Sequence, residues 1–203
     1  MSKGWVSASL SEKIPEQAVR RGLGSLRQFL DKESSGLDVQ WEFSLRKNWL
    51  DVKAAGEDAE AFLNVLRNRF GTIPVQSSKI EKWDLAKGSV VGSGKVGFGV
   101  YVDLGIFEPI ARDSLYPLHR MRAQLADGVT KPCREIIEEN GLVDDFPLET
   151  RVIDIQGEKI SVELSDRTRE LFNSWRNCLR LLFLACAVVW VLRPTACRVH
   201  SMA

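Results

Sequence analysis

The chain has 203 residues, 44% hydrophobic and 27% charged, with a formal net charge of +1. This is the composition of an ordinary globular protein, with enough chain for one large or two small domains. The charge is unevenly spread, at +2 over residues 1–82, −5 over 83–170 and +4 over 171–203. The acidic centre counts against strong non-specific nucleic-acid binding.

Residues 5–10 (WVSASL) predict a first strand. Pro15 suits the first turn of a helix, with Ser11 as a cap and Glu16 following. Ala18, Val19, Leu23, Leu26, Phe29 and Leu30 then recur at helical spacing, weakened by Gly22 and Gly24. Val39, Trp41, Phe43 and Leu45 alternate with polar residues as a half-buried strand. A turn at Arg46–Asn48 leads to a second, antiparallel strand over 49–55.

Residues 57–70 predict a helix with acids at its start, Arg67 and Arg69 at its end and Gly71 as its stop. Its buried stripe is Ala59, Phe62, Leu63, Leu66 and Phe70. The order β-α-β-β-α over residues 1–75 describes an α+β sandwich with two helices on one face of a three-stranded sheet. Pro74–Ser78 reads as a linker.

Gly88–Gly105 (GSVVGSGKVGFGVYVDLG) reads as a glycine-rich antiparallel hairpin at the corner of a small barrel. Residues 114–126 start extended and turn helical after Pro117, and a short helix runs from Pro132 to its stop at Gly141. Leu148–Ile155 and Lys159–Leu164 form a hairpin, and Ser165 or Asp166 caps an amphipathic turn through Trp175.

From Leu171 the chain holds no Asp, Glu or Lys, which marks an atypical hydrophobic tail over 171–203: a buried helix, a membrane-surface segment or, as the loss of every acid suggests, the product of a shifted reading frame. Its longest uncharged run, Leu181–Leu192, falls short of the roughly 20 residues a membrane helix needs. The four cysteines form no close pair, and no signal peptide is evident. Reduced thiols in a cytoplasm are therefore expected, with no membrane association.

Gly92-x-Gly94-x-x-Gly97 matches a dinucleotide fingerprint by letter, but Val100, Val102 and Leu104 after it alternate as a strand where a helix is required. The phosphate-loop pattern fails as well, because Val96 follows Lys95 where Ser or Thr is needed. His119 and His200 lie in no catalytic context, and Cys197-x-x-His200 has no second pair to make a metal site. Glu138-Glu139 and Asp144-Asp145 are either cation ligands or solvated faces. No constellation supports a reaction, so neither an enzyme nor a cofactor is expected.

Phe98-Gly99-Val100-Tyr101-Val102-Asp103-Leu104-Gly105 resembles the core of the RNA-binding OB-fold repeat named after ribosomal protein S-one. Gly88–Val91 before it and Arg151–Asp154 with Lys159–Ser165 after it extend the resemblance to residues 83–166. The resemblance implies a five-stranded OB barrel over 83–170, here with a helical insertion at about 119–147. It implies base stacking on Phe98 and Tyr101, with Lys159 as a basic contact. Two positions depart from the pattern: Pro117 stands at the exposed histidine, with His119 nearby, and Ile155 stands at an acidic position, beside Asp154. The whole arrangement is similar to an uncharacterised archaeal family with this module embedded, from which the C-terminal tail departs.

In a regular strand, positions 98 and 101 point to opposite faces. Phe98 is then either core, in phase with Val100 and Val102, or brought beside Tyr101 by a bulge near Gly99. Basic help for stacking is expected from Lys87, Lys95, Arg112, Arg120, Arg122, Arg151 and Lys159. The expected function is a non-catalytic protein binding single-stranded RNA through Phe98, Tyr101, Lys95, His119, Lys159 and Arg151. The alternative is a protein–protein adaptor for ribosomal or transcription machinery proteins, which the acidic centre favours.

Overall fold

The computed structural model describes residues 4–176 of the chain. The expectations for the tail beyond Arg176, including the shifted frame and the Cys197–His200 pair, lie outside the described residues.

Strand β1 (Val6–Lys13) is followed by two helices, α1 (Glu16–Arg20) and α2 (Gly24–Glu33), where the spacing predicted one. The break falls at Gly22, whose φ of 91° lies outside the helical region. Strands β2 (Val39–Arg46) and β3 (Trp49–Gly56) form a hairpin, and α3 (Ala59–Phe70) ends at Gly71. The sheet order is β1-β3-β2, antiparallel throughout. Leu50, Val52 and Ala54 of β3 pack with Ala8, Leu10, Leu30, Phe62, Leu63 and Leu66, so α2 and α3 share one face of the sheet. Phe70 is only partly buried, in edge contact with Phe29.

The stretch expected as a linker carries a short strand, β4 (Val75–Gln76), which pairs in parallel with Ile106 and Glu108 of the second unit. Strands β5 (Leu85–Val91), β6 (Gly99–Glu108), β7 (Arg112–Pro117), β8 (Pro147–Gln156) and β9 (Lys159–Leu164) form that unit. They pair in the order β6-β5-β8-β9-β7, and a β6–β7 pairing closes the ring. The protein is thus α+β, with a closed five-stranded barrel.

Alternation sets which side chains fill the barrel. Val90, Val100, Val102, Leu104, Tyr116, Leu148, Val152, Ile160, Val162 and Leu164 point in. Between β7 and β8, helices α4 (Leu118–Leu125) and α5 (Cys133–Asn140) plug one end with Met121, Leu125, Ile136 and Ile137. Pro132 opens α5 and Gly141, left-handed at φ 64°, closes it.

A last helix, α6, spans 166–176. Ser165 caps it by accepting from the Thr168 amide at 3.2 Å. Phe172 is buried in the barrel core and packs against Phe146 and, edge-on, Trp175, so α6 crosses the point where acidic residues stop without leaving the domain. No helix among the described residues is long and apolar enough to cross a membrane.

Candidate functional site

The outer surface of the barrel is ordered by register. Tyr101 of β6 lies opposite Val91 of β5 and Leu115 of β7, and Leu115 lies opposite Ser161 of β9. Opposed residues share a face, so these side chains form one outward row, with Tyr101 half-buried within it. Lys159, one outward step from Ser161 along β9, is exposed.

Phe98 is 54% exposed and packs edge-to-face on Tyr101, with ring centroids 6.3 Å apart. It is therefore not a core residue. Nor does a bulge at Gly99 put it there, because Gly99, Val100 and Tyr101 pair in unbroken register with Pro117, Tyr116 and Leu115. Phe98 precedes the strand, in the β5–β6 loop, where strand parity does not apply. Its carbonyl accepts from the Leu118 amide at 2.8 Å, which ties the aromatic corner to the start of α4. Gly99 is required for a different reason: a Cβ there would run into the Tyr116 carbonyl oxygen.

The bulge in β6 lies further along, between Asp103 and Ile106. Gly105 sits in it at φ 74° and donates its amide to Asp103 Oδ1 at 2.8 Å. The other oxygen of Asp103, Oδ2, accepts from Trp49 Nε1 at 2.9 Å and pairs with Lys13 Nζ at 3.2 Å. Asp103 and Trp49 are 7% and 2% exposed. This aspartate of the glycine-rich motif is therefore a buried joint between the two domains, with both oxygens occupied.

Lys13 also reaches Asp145 at 3.4 Å, and Lys87 donates to the Phe70 carbonyl at 2.9 Å. Partial burial and then Asp103 push the Asp113 carboxyl above its ordinary value, against the pull of Lys47 and Lys13. Part of the central acidity thus faces cations of the first domain. Sequence reasoning missed Lys13, Lys47 and Trp49 entirely.

The expected basic cluster is largely committed elsewhere. Arg112 pairs with Glu158 at 3.2 Å, Arg120 with Glu163 at 3.2 Å and Arg151 with Asp166 at 2.7 Å. That last pair holds the Asp166 carboxyl below its ordinary value. Arg122 donates to the Lys131 carbonyl at 2.9 Å. Lys95, in the β5–β6 loop, folds over Gly92 and lines a cleft with Lys47, Asp113 and Asp144. His119 is exposed on α4. Among the described residues, Lys95, His119 and Lys159 carry no ion pair.

The structure therefore brings Phe98 and Tyr101 together, sets Lys159 and Lys95 toward the Asp113 end of the barrel, and holds Arg151 in its pair with Asp166. Leu115 and Val91, which border Tyr101, were not legible as site residues, since only register places them there.

The glycine triplet Gly92, Gly94 and Gly97 leads into β6 and not into a helix, as its sequence context implied. Asp144 accepts from the Ser93 amide at 2.6 Å, and Glu138 and Glu139 pair with Arg134 and Lys131. Among the described residues no cluster of His, Cys, Asp and Glu is arranged to hold a metal ion.

Comparison with known proteins gives two matches in chain order. The DUF2110 N-terminal domain matches residues 8–76, and the DUF2110 central domain matches residues 80–176. No curated protein matches. The two matched spans correspond to the helix-backed sheet and to the barrel with α6, and between them they take in most of the 203 residues. The chain belongs to the DUF2110 family.

Proposed function

We propose that the barrel is an OB-fold of the S-one type that binds single-stranded RNA without catalysis. The strand order β5-β6-β7-β9-β8, the parallel β7–β9 contact and the helices between β7 and β8 support the fold assignment. OB-folds bind oligonucleotides on the face of their second and third strands and on the loops joining strands one to two and four to five. Those places correspond here to β6 and β7, the 92–98 loop and the Gly157–Glu158 turn. Lys95 and Phe98 lie in the first loop, Tyr101 and Leu115 on the two strands, and Lys159 beside the turn.

The observation that carries the reading is the outward Phe98–Tyr101 pair, with its phenyl ring more than half exposed. A water-facing ring of this kind offers a base a stacking platform, on the order of 1–3 kcal/mol per base. Lys95 and Lys159 supply the charge for backbone contact and His119 a further polar group, so the affinity is modest and sequence preference weak.

A second reading is an adaptor that docks on a protein of the ribosomal or transcription machinery. The ion-paired state of Arg112, Arg120 and Arg151 favours it, because those cations are withdrawn from phosphate binding. Titration of the chain with a fluorescent single-stranded RNA at two salt concentrations separates the two. RNA binding gives affinity that falls with salt. No binding at either concentration rejects it and leaves the adaptor.

A further inference from the structure

We propose that the edge of β2, open among the described residues, is a docking surface for a second copy of this chain, joined by antiparallel strand addition centred on Phe43. β2 is terminal in its sheet and pairs with β3 without interruption from Val39 to Arg46. Of the devices that usually blunt an open edge it lacks proline, lysine and a bulge, and its two charges, Glu42 and Arg46, are of opposite sign. The opposite edge is treated differently. β1 breaks register between Ser9 and Lys13, and residues 71–73 cover it through Ser11 N–H to the Gly71 carbonyl and Ile73 N–H to the Ser9 carbonyl.

The turn sets which backbone groups face outward. Lys47 and Asn48, at φ 49° and 69°, make a two-residue hairpin loop. Arg46 and Trp49 then exchange the first hydrogen bonds, so Gln40, Glu42, Ser44 and Arg46 direct theirs to β3. Val39, Trp41, Phe43 and Leu45 direct theirs to the open edge. These same four residues form a half-buried apolar row in which Trp41 stacks on Phe43 at 6.3 Å. A groove of about 690 Å³ runs beside them, where Arg27 of α2 lies 5.9 Å from the Phe43 ring.

Self-pairing must keep the apolar row on one face, so the two-fold passes through a residue and not between two. Centred on Glu42, it sets two carboxylates against each other. Centred on Ser44, it pairs only residues 42 to 46. Centred on Phe43, it pairs Gln40 through Arg46, with Trp41 opposite Leu45, Gln40 opposite Arg46 and Glu42 opposite Ser44. The two diagonal steps from Glu42 then reach Arg46 and Glu42 of the second copy, and no like charges stand directly opposite each other.

The test is sedimentation of the full chain over a concentration series, combined with amide hydrogen exchange. The mass doubles on concentration. The Trp41, Phe43 and Leu45 amides slow by about tenfold or more as it does, while Gln40, Glu42 and Ser44 stay slow throughout. Leu45→Pro, which removes an edge N–H and spares the β3 ladder, leaves a monomer. A chain monomeric at every concentration overturns the proposal, as does a dimer in which the three edge amides stay fast or one that survives Leu45→Pro. Should that variant fail to fold, the wild-type exchange pattern decides.

Discussion

Asp103 shows how one residue reconciles an acidic barrel with a functional face. Its two oxygens satisfy a bulge amide, a buried indole and a partly buried ammonium, so its charge is spent inside the molecule. Trp49→Phe removes one donor and leaves the carboxylate under-bonded. A loss of about 1–3 kcal/mol is expected, read by denaturant unfolding. Asp113 behaves oppositely. Its carboxyl is raised by partial burial and then by Asp103, so the folded protein holds that proton more tightly than the unfolded chain. Stability contributed by Asp113 is therefore lost as pH rises through its raised value. Asp113→Asn is expected to stabilise at neutral pH, and the gain disappears below the ordinary carboxylate range, which paired melts at the two pH values will show. None of this was legible in the sequence, because Lys13 and Trp49 reach Asp103 only across the domain joint and Asp113 faces Asp103 only through the β6–β7 register.

Among the elements, those with a local cause were readable. β2 alternates apolar and polar residues, α5 runs between a proline and a left-handed glycine, and α3 ends at Gly71. The features that escaped depended on neighbours. A bulge near Gly99 was one of two alternatives for Phe98; the bulge of β6 lies at Gly105, because the register of β6 is set by β7 and by the Asp103 carboxylate that holds the Gly105 amide. A Cβ on Gly105 would lie 2.8 Å from Ile73 Cδ1, in addition to an unfavourable positive φ. Gly105→Ala should therefore destabilise by on the order of 1–3 kcal/mol in the same unfolding assay. The helix expected through Trp175 runs across the composition break at Leu171 as α6. Phe172 sits between Phe146 and Trp175, and Phe172→Ala is expected to cost roughly 3–5 kcal/mol and to free α6. Exchange of the α6 amides reports that release.

For the whole molecule, the charge pattern changes meaning once the domains meet. The −5 of residues 83–170 includes Asp103 and Asp145, which face Lys13 of the first domain. The candidate face is left with an aromatic pair and a few unpaired cations. That supports modest, salt-sensitive binding and not a strongly charged groove. The most direct measurement is RNA affinity at low salt for the wild-type chain against Phe98→Ala and Tyr101→Ala, with melting curves to confirm that both variants fold. Each variant is expected to weaken binding at least several-fold, in line with the lost stacking of one base. Wild-type affinity in both folded variants would contradict the account.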